Sequence, residues 1–261
     1  MYQLLSKKVA AYVLIFTVLI AWCIVKSAAW FGLDPSLYRI GATSALIVLS
    51  LISVVVGWSG YRSPWRWLWR KFPILNSVIY PDLNGVWVGT TQSNWSIIQK
   101  INDAAKSPHK IDLESIQNTG LQKGGIAIHI EANLYSIKIN ARLSNRSSTS
   151  SSRCTYVEKH IATNCIRLLY IYAQNTPEPD ASDESIHFGA AELCFELNEC
   201  NKSNGRYWTR RSWRQGLNTA GILSLKRVSE YYDPRTHDLL QLANSTLEIE
   251  GQNETDESAL S

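Results

Sequence analysis

The chain has no Cys-x-x-Cys pair, no His-Glu-x-x-His, no Gly-x-Ser-x-Gly and no phosphate-binding glycine loop. These absences exclude the common zinc sites, zinc hydrolases, serine-hydrolase elbows and P-loop enzymes, because each chemistry needs its ligands or nucleophile at that spacing. The histidines at 109, 129, 160, 187 and 237 stand singly, without metal-ligand spacing, and each reads as a satisfied or solvated side chain. No metal and no cofactor is expected. His187, at a strand start before Phe188-Gly189, is set apart from the rest. Five irregularly spaced cysteines give no disulfide framework, so a reducing compartment and ordinary buried thiols are expected. Acid is nearly absent at the start and abundant at the end. Residues 1–80 hold eight basic residues against Asp34, a balance of +7, while residues 229–261 hold eight acids against Arg235, a balance of −7. The net charge of +4 hides that segregation.

What is present begins with two apolar runs. Residues 9–25, VAAYVLIFTVLIAWCIV, carry no charge and resume as SAAWFGL after Lys26, whose amine can snorkel to an interface. Residues 40–61, IGATSALIVLSLISVVVGWSGY, are uncharged throughout and long enough to cross a bilayer core of about 30 Å. With the Asp34-Pro35 break between them they read as a transmembrane helical hairpin over about 9–31 and 40–61. Lys7 and Lys8 precede the first span, and Arg62, Arg66, Arg70 and Lys71 follow the second. The positive-inside rule then puts both termini, and everything after residue 62, on the cytoplasmic side. RSPWRWLWRKF, residues 62–72, interleaves arginine with Trp65, Trp67 and Trp69 and reads as an interfacial anchor closing a membrane portion of residues 1–72.

From residue 84 the period changes to two. GGIAIHIE (124–131), LYSIKINARL (134–143), RCTYVEKHIA (153–162), CIRLLYIYAQN (165–175), SIHFGAAELCFEL (185–197), GRYWTRR (205–211) and AGILSLKRV (220–228) are strand candidates. The stretch YPDLNGVWVGTTQSNW, residues 80–95, makes an eighth. Eight sequential strands joined by polar turns imply an all-β, eight-stranded antiparallel barrel of the calycin/lipocalin-like kind over residues 77–228, in which closure removes the sheet edges. Residues 97–118 stay ambiguous between an insertion and an extra edge segment. Residues 229–261 form an acidic tail, expected to be disordered.

Alternation places Trp87, Gly89, Thr91, Ser93 and Trp95 on one face. If that face is inward, Trp87 plugs one end of the barrel while Ser93 and Trp95 reach the other. In GRYWTRRSWRQGLNTAG, residues 205–221, Tyr207, Thr209 and Arg211 share a face. An inward arginine is costly unless it meets an anion or an acid. Its planar fork suits phosphate and a tyrosine can stack a base. A structural arginine closing the barrel against a carbonyl or a tryptophan face is the competing reading.

The two spans, YPDLNGVWVGTTQSNW, Asn175 with Pro177, HFGAA and GRYWTRR…NTAG together resemble the two-transmembrane β-barrel effectors of CBASS antiphage systems, the membrane-disrupting proteins associated with CD-NTases. The resemblance runs from the first span to about residue 228 and excludes the tail. It implies a receptor rather than an enzyme. The barrel would bind a cyclic dinucleotide as activating ligand and drive homo-oligomerisation of the membrane segments, disruption of the lipid bilayer of the bacterial inner membrane and abortive infection, with no DNA or RNA partner. Ser93, Asn94, Trp95, Tyr207, Thr209, Arg211 and Thr219 are the expected ligand residues. Arg210, where the family usually has an acid, and a longer SWRQGL loop depart from the pattern. A membrane-tethered carrier of an apolar ligand is the alternative, and an enzyme would need His187 beside an acid at the barrel mouth.

Overall fold

The computed structural model describes residues 7–32, 37–57, 60, 62–106, 112–134, 136–144, 146–160, 165–179, 183–196 and 200–248. The Asp34-Pro35 break and the end of the acidic tail, 249–261, lie outside the described residues. The chain divides into two units. One comprises Gln3–Asp82 with Ala132–Ser136, and the other Leu83–Glu131 with the chain from Ile137 onward.

In the first of these, the helices α1 (Lys7–Trp30) and α2 (Leu37–Gly57) fall on the two apolar runs. They lie against each other and present Ile15, Phe16, Leu19, Trp22, Leu46 and Leu51 outward. The described residues do not by themselves form a helix long and apolar enough to cross a membrane. The reading of α1 and α2 as spans therefore rests on their uninterrupted sequence. Next come the short helices α3 (Pro64–Lys71) and α4 (Ile74–Val78). Proline at the start of α3 suits a first turn whose amide has no helical partner.

The basic-aromatic anchor proves to be two things. Positions 65 and 69 are one turn apart on the same face, so Trp65 and Trp69 are buried edge-to-face at 5.5 Å, packed with Leu134, Leu75 and Ile79. The Trp69 indole donates to the Tyr80 carbonyl at 2.6 Å, and the buried Arg66 donates through Nε to Asp82 at 2.6 Å. Trp67, on the opposite face, is exposed and carries the Lys71 amine over its ring at 5.3 Å. Two tryptophans and one arginine expected at the lipid interface are thus buried within this unit.

The other unit is a closed antiparallel barrel of eight strands in sequential order. They are β1 (Gly85–Ser93), β2 (Gln122–Ala132), β3 (Ile137–Leu143), β4 (Thr149–His160), β5 (Cys165–Asn175), β6 (Ile186–Glu196), β7 (Lys202–Thr209) and β8 (Ala220–Ser229). Strand β1 pairs with both β2 and β8, which closes the sheet. Gly89 lets β8 come close, because a Cβ there would meet the Ser224 carbonyl. The ambiguous stretch after β1 is an insertion containing α5 (Trp95–Lys106) and α6 (Leu113–Gln117), the latter capped by Asp112, whose carboxylate accepts from the Ser115 amide.

The barrel interior is graded from end to end. Along β5 the inward residues run Ile166, Leu168, Tyr170, Tyr172, Gln174, and along β6, in the opposite chain direction, Phe195, Leu193, Ala191, Gly189, His187. One end is an apolar floor filled by Trp87, Ile128, Ile130, Leu168, Leu193 and Phe195, and the other is a polar mouth.

Two further findings correct the sequence reading. Cys165 and Cys194 on adjacent strands are paired as a disulfide with Cα atoms 6.2 Å apart. Antiparallel pairing of β5 and β6 brings together cysteines 29 positions apart, which spacing in the sequence does not disclose. The acidic tail is also ordered as far as it is described. Asp233 and His237 close a turn in which the His237 amide donates to the Asp233 carbonyl at 2.8 Å, and residues 239–248 form a helix, α7. Asp238 caps it, accepting from the Leu240 amide at 2.9 Å. The Ala243 side of α7 lies on β2 over Gly125, and Tyr232 stacks on His129 at 4.2 Å. Leu239, Ala243 and Leu247 recur at helical spacing, a pattern that the density of acids obscures.

Candidate ligand-binding site

At the polar end the barrel holds a cavity of about 210 Å³, opening into about 1090 Å³ of empty space when the solvent at its mouth is included. Six of the seven residues expected from the sequence line it: Ser93, Trp95, Tyr207, Thr209, Arg211 and Thr219. They come from the last turn of β1, the start of α5, the end of β7 and the approach to β8. Trp95 is not on the strand, as alternation implied, but opens α5. Its backbone amide is held by the Ser93 hydroxyl at 3.2 Å, which still leaves the indole at the mouth.

Asn94 is the exception. Its side-chain carbonyl accepts from the Ala220 amide at 2.9 Å and its own amide donates to the Ala220 carbonyl at 3.0 Å. It fastens β1 to β8 rather than facing the cavity. Thr209 and Thr219 are partly structural as well. Their hydroxyls are 2.8 Å apart, and the Thr219 amide donates to the Thr209 hydroxyl at 3.1 Å. That pair pins the two ends of the loop 210–218, which turns through left-handed backbone at Ser212 and Gly216.

Arg211 is 5% exposed. Its guanidinium lies over the Trp95 ring at 4.5 Å and its Nε is 3.1 Å from the Asp183 carboxylate. The same carboxylate lies 3.5 Å from Arg146 and 3.4 Å from His187 Nδ1. With Lys123 also in the lining, the described residues set three cations against Asp183 here. The excess favours a guest carrying about two negative charges. Burial lowers the His187 pKa, an effect larger than the opposing pull of Asp183, so the ring is neutral at physiological pH. His187 Nδ1 has no aligned hydrogen bond to Asp183 despite their closeness.

Aromatic walls complete the site. Tyr170 and Tyr172 lie at 5.9 Å from each other, and burial raises the pKa of both, as it does for Tyr207, so all three remain phenols. Ser93 hydrogen-bonds Tyr207, partly offsetting that rise. Two glycines make room for these rings. A Cβ at Gly189 would strike the Tyr172 ring and one at Gly221 the Tyr207 ring, so a larger residue at either position would push a tyrosine into the cavity.

Tyr170, Tyr172, Arg146 and Asp183 were missed from the sequence. The two tyrosines were legible, since alternation along β5 places them inward beyond Ile166 and Leu168. Arg146 and Asp183 sit in turns, where no period assigns a direction.

Residues 111–227 match the family model described as Cap15, cyclic dinucleotide receptor domain. The match includes Tyr207, Thr209, Arg211 and Thr219, but not β1, Trp95 or α7. A relative described as CD-NTase-associated protein 15, from Escherichia albertii, is 28% identical over 164 residues, spanning 62% of this chain and 71% of the relative. Both matches agree with the resemblance to CBASS effectors that the sequence carries, and residues 111–227 are similar to a Cap15 cyclic dinucleotide receptor domain.

Proposed function

We propose that the barrel binds a cyclic dinucleotide at its mouth and that binding drives the membrane helices to self-associate and disrupt the inner membrane, killing the infected cell. The observation that carries this reading is the Arg211–Trp95 pair at the rim of a cavity that Tyr170, Tyr172 and Tyr207 also line. A cyclic dinucleotide offers two phosphates and two flat bases. Arg211 and Arg146 supply planar donors for phosphate, and Trp95, Tyr170, Tyr172 and Tyr207 supply stacking faces. Asp183 holds both guanidiniums in place before the ligand arrives. A cavity of this size at one end of the barrel suits a small nucleotide rather than a strand of DNA or RNA.

The apolar outer sides of α1 and α2 support the membrane half of the proposal, as do the basic residues around residue 70. The barrel and both termini are cytoplasmic in this scheme. Activation is a population shift, in which ligand must bind the associating state better than the resting one. The partners are therefore the nucleotide, the bilayer and further copies of the chain.

The test uses the full-length protein in detergent and a panel of cyclic dinucleotides. A binding ligand present at a hundred times its Kd stabilises the folded state by about 2.7 kcal/mol, a clear rise in melting temperature. The stabilising ligand should then release dye from vesicles of bacterial lipid containing the protein. No stabilisation by any member of the panel would end the receptor reading. Stabilisation with intact vesicles would leave the receptor and remove the disruption. The His187–Asp183 neighbours give an enzymatic reading one specific footing, and breakdown of the bound nucleotide during the assay would establish it.

A further inference from the structure

The cavity is smaller than the roughly 300–1,000 Å³ usual for a site that takes a drug-sized ligand. Part of its wall is α7. Leu247 lines the cavity beside Lys123, Gly124 and Ile126, although it belongs to a segment beyond both the barrel strands and the matched family domain. The helix rests in a notch made by glycine. A Cβ at Gly125 would lie 2.0 Å from the Ala243 carbonyl and 3.4 Å from the Leu247 Cβ. Ala243 is fully buried there, so α7 is seated rather than loosely apposed.

The electrostatics of that seat oppose an anionic guest. The cavity-side end of α7 is its C-terminus, the negative end of the helix dipole. Glu248 follows Leu247 directly, and the sequence continues through Glu250, Glu254, Asp256 and Glu257 with no base. A dianion in the cavity meets Lys123, Arg146 and Arg211 favourably and this helix end unfavourably.

We propose that α7 is a built-in competitor of the ligand: Leu247 fills part of the nucleotide site, and the docked helix and the bound ligand exclude each other. This rests on the receptor reading above. The ligand then has two tasks, to occupy the cationic mouth and to lift α7 from the Gly125 notch. The Asp233–His237 turn remains clamped to β2 through Tyr232 on His129 and serves as the hinge. Binding is weakened by the cost of undocking, so a threshold concentration of messenger is needed before the site fills.

Two variants of the full-length protein release α7 by independent routes. Ending the chain after Asp238 removes it, and Gly125→Leu places a side chain where the Ala243 carbonyl sits. Melting in the absence of ligand confirms that each variant is folded. Titration with cyclic di-AMP, cyclic di-GMP and cyclic GMP-AMP should show each variant binding its ligand more tightly than the parent, within the five- to 150-fold range usual for coupled sites. Combining both changes should give no further gain. Ligand should also speed hydrogen exchange in residues 239–248 of the parent while slowing it in β7. Equal affinity in parent and variants, or weaker binding by the truncated chain, overturns the inference while leaving the receptor intact. Absence of binding by every chain overturns both readings together.

Discussion

Two arginines lie over two tryptophans inside the same barrel, one pair at each end. At the floor the Arg227 guanidinium is 5.0 Å from the Trp87 ring, and at the mouth that of Arg211 is 4.5 Å from Trp95. The chemistry of the contact is the same, but its surroundings differ. Trp87 is fully buried, donates to the Leu83 carbonyl at 3.0 Å and takes the edge of Phe195 at 5.1 Å. Every side of that indole is occupied, so the pair fastens strands together. Arg211 shares Asp183 with Arg146 and lines a cavity that has room for a guest. A cation over an indole is therefore neither structural nor functional by type. The space beside it decides.

The largest effect is expected at the floor. Trp87→Ala should remove about 3–5 kcal/mol, the usual cost of emptying a large aromatic site in a core. Since whole domains are stable by only about 5–15 kcal/mol, the variant should melt far below the parent. Ligand should still raise whatever melting temperature remains. A variant that melts like the parent would show that the floor is not where the barrel is held. At the mouth the pattern reverses. Arg211→Ala leaves Asp183 with Arg146, so unliganded stability should fall much less than for Trp87→Ala. Loss of a charge-assisted contact to phosphate, worth about 1.5–3 kcal/mol, should weaken binding ten- to 150-fold in a titration. Arg211→Lys should restore little, because an ammonium cannot reproduce the planar fork. Unchanged affinity in Arg211→Ala would make this pair structural too.

The floor was readable from the sequence because β1 alternates cleanly to Trp87 and the flanking strands carry Ile and Leu at period two. All eight strands were readable for the same reason, as was the inward face of Tyr207, Thr209 and Arg211. The mouth was readable only where a strand delivered it. Trp95 reached the cavity from a helix, Asn94 turned to the β8 backbone, and Asp183 came from a turn-rich segment whose polarity said only that it was a loop. Trp65 and Trp69 were misread because composition spoke for lipid while the four-residue spacing spoke for a buried face. The described part of the tail was misread likewise: its acids suggested disorder, yet Asp238 caps a helix whose Leu239, Ala243 and Leu247 are spaced to pack.

Returning to the floor, Arg227→Met should cost about 1 kcal/mol, the value of a partly desolvated cation–π contact, since methionine keeps the packing of the stem. Ligand affinity should stay at the parent value, in contrast to Arg211→Ala. A loss of affinity without a loss of stability would mean that the floor reports on the ligand and would dissolve the distinction between the two ends.

The smallest expected effect is that of pH, and it probes the mouth from the protein side. Burial holds His187 below its ordinary pKa, with Asp183 and Glu184 pulling it up and Arg211 pushing it further down. The unfolded chain then binds the proton more readily than the folded one, so stability from this group is fully present above the unfolded value near 6.5. It is lost as pH falls below 6.5 toward the depressed folded value. His129, packed under Tyr232 and also depressed by burial, acts in the same direction. Melting temperature should therefore decline from pH 7.5 to pH 5.5, and His187→Gln should flatten part of that decline while His129→Gln flattens another part. A bound dianion would reverse the balance at His187 alone, because two phosphates beside the ring favour its protonated form. With ligand present, the parent should lose less stability on acidification, and the His129→Gln variant should show the same protection. If ligand leaves the acid limb unchanged, the phosphates do not sit beside His187, and the charge at the mouth must be met at Lys123 and Arg146 instead.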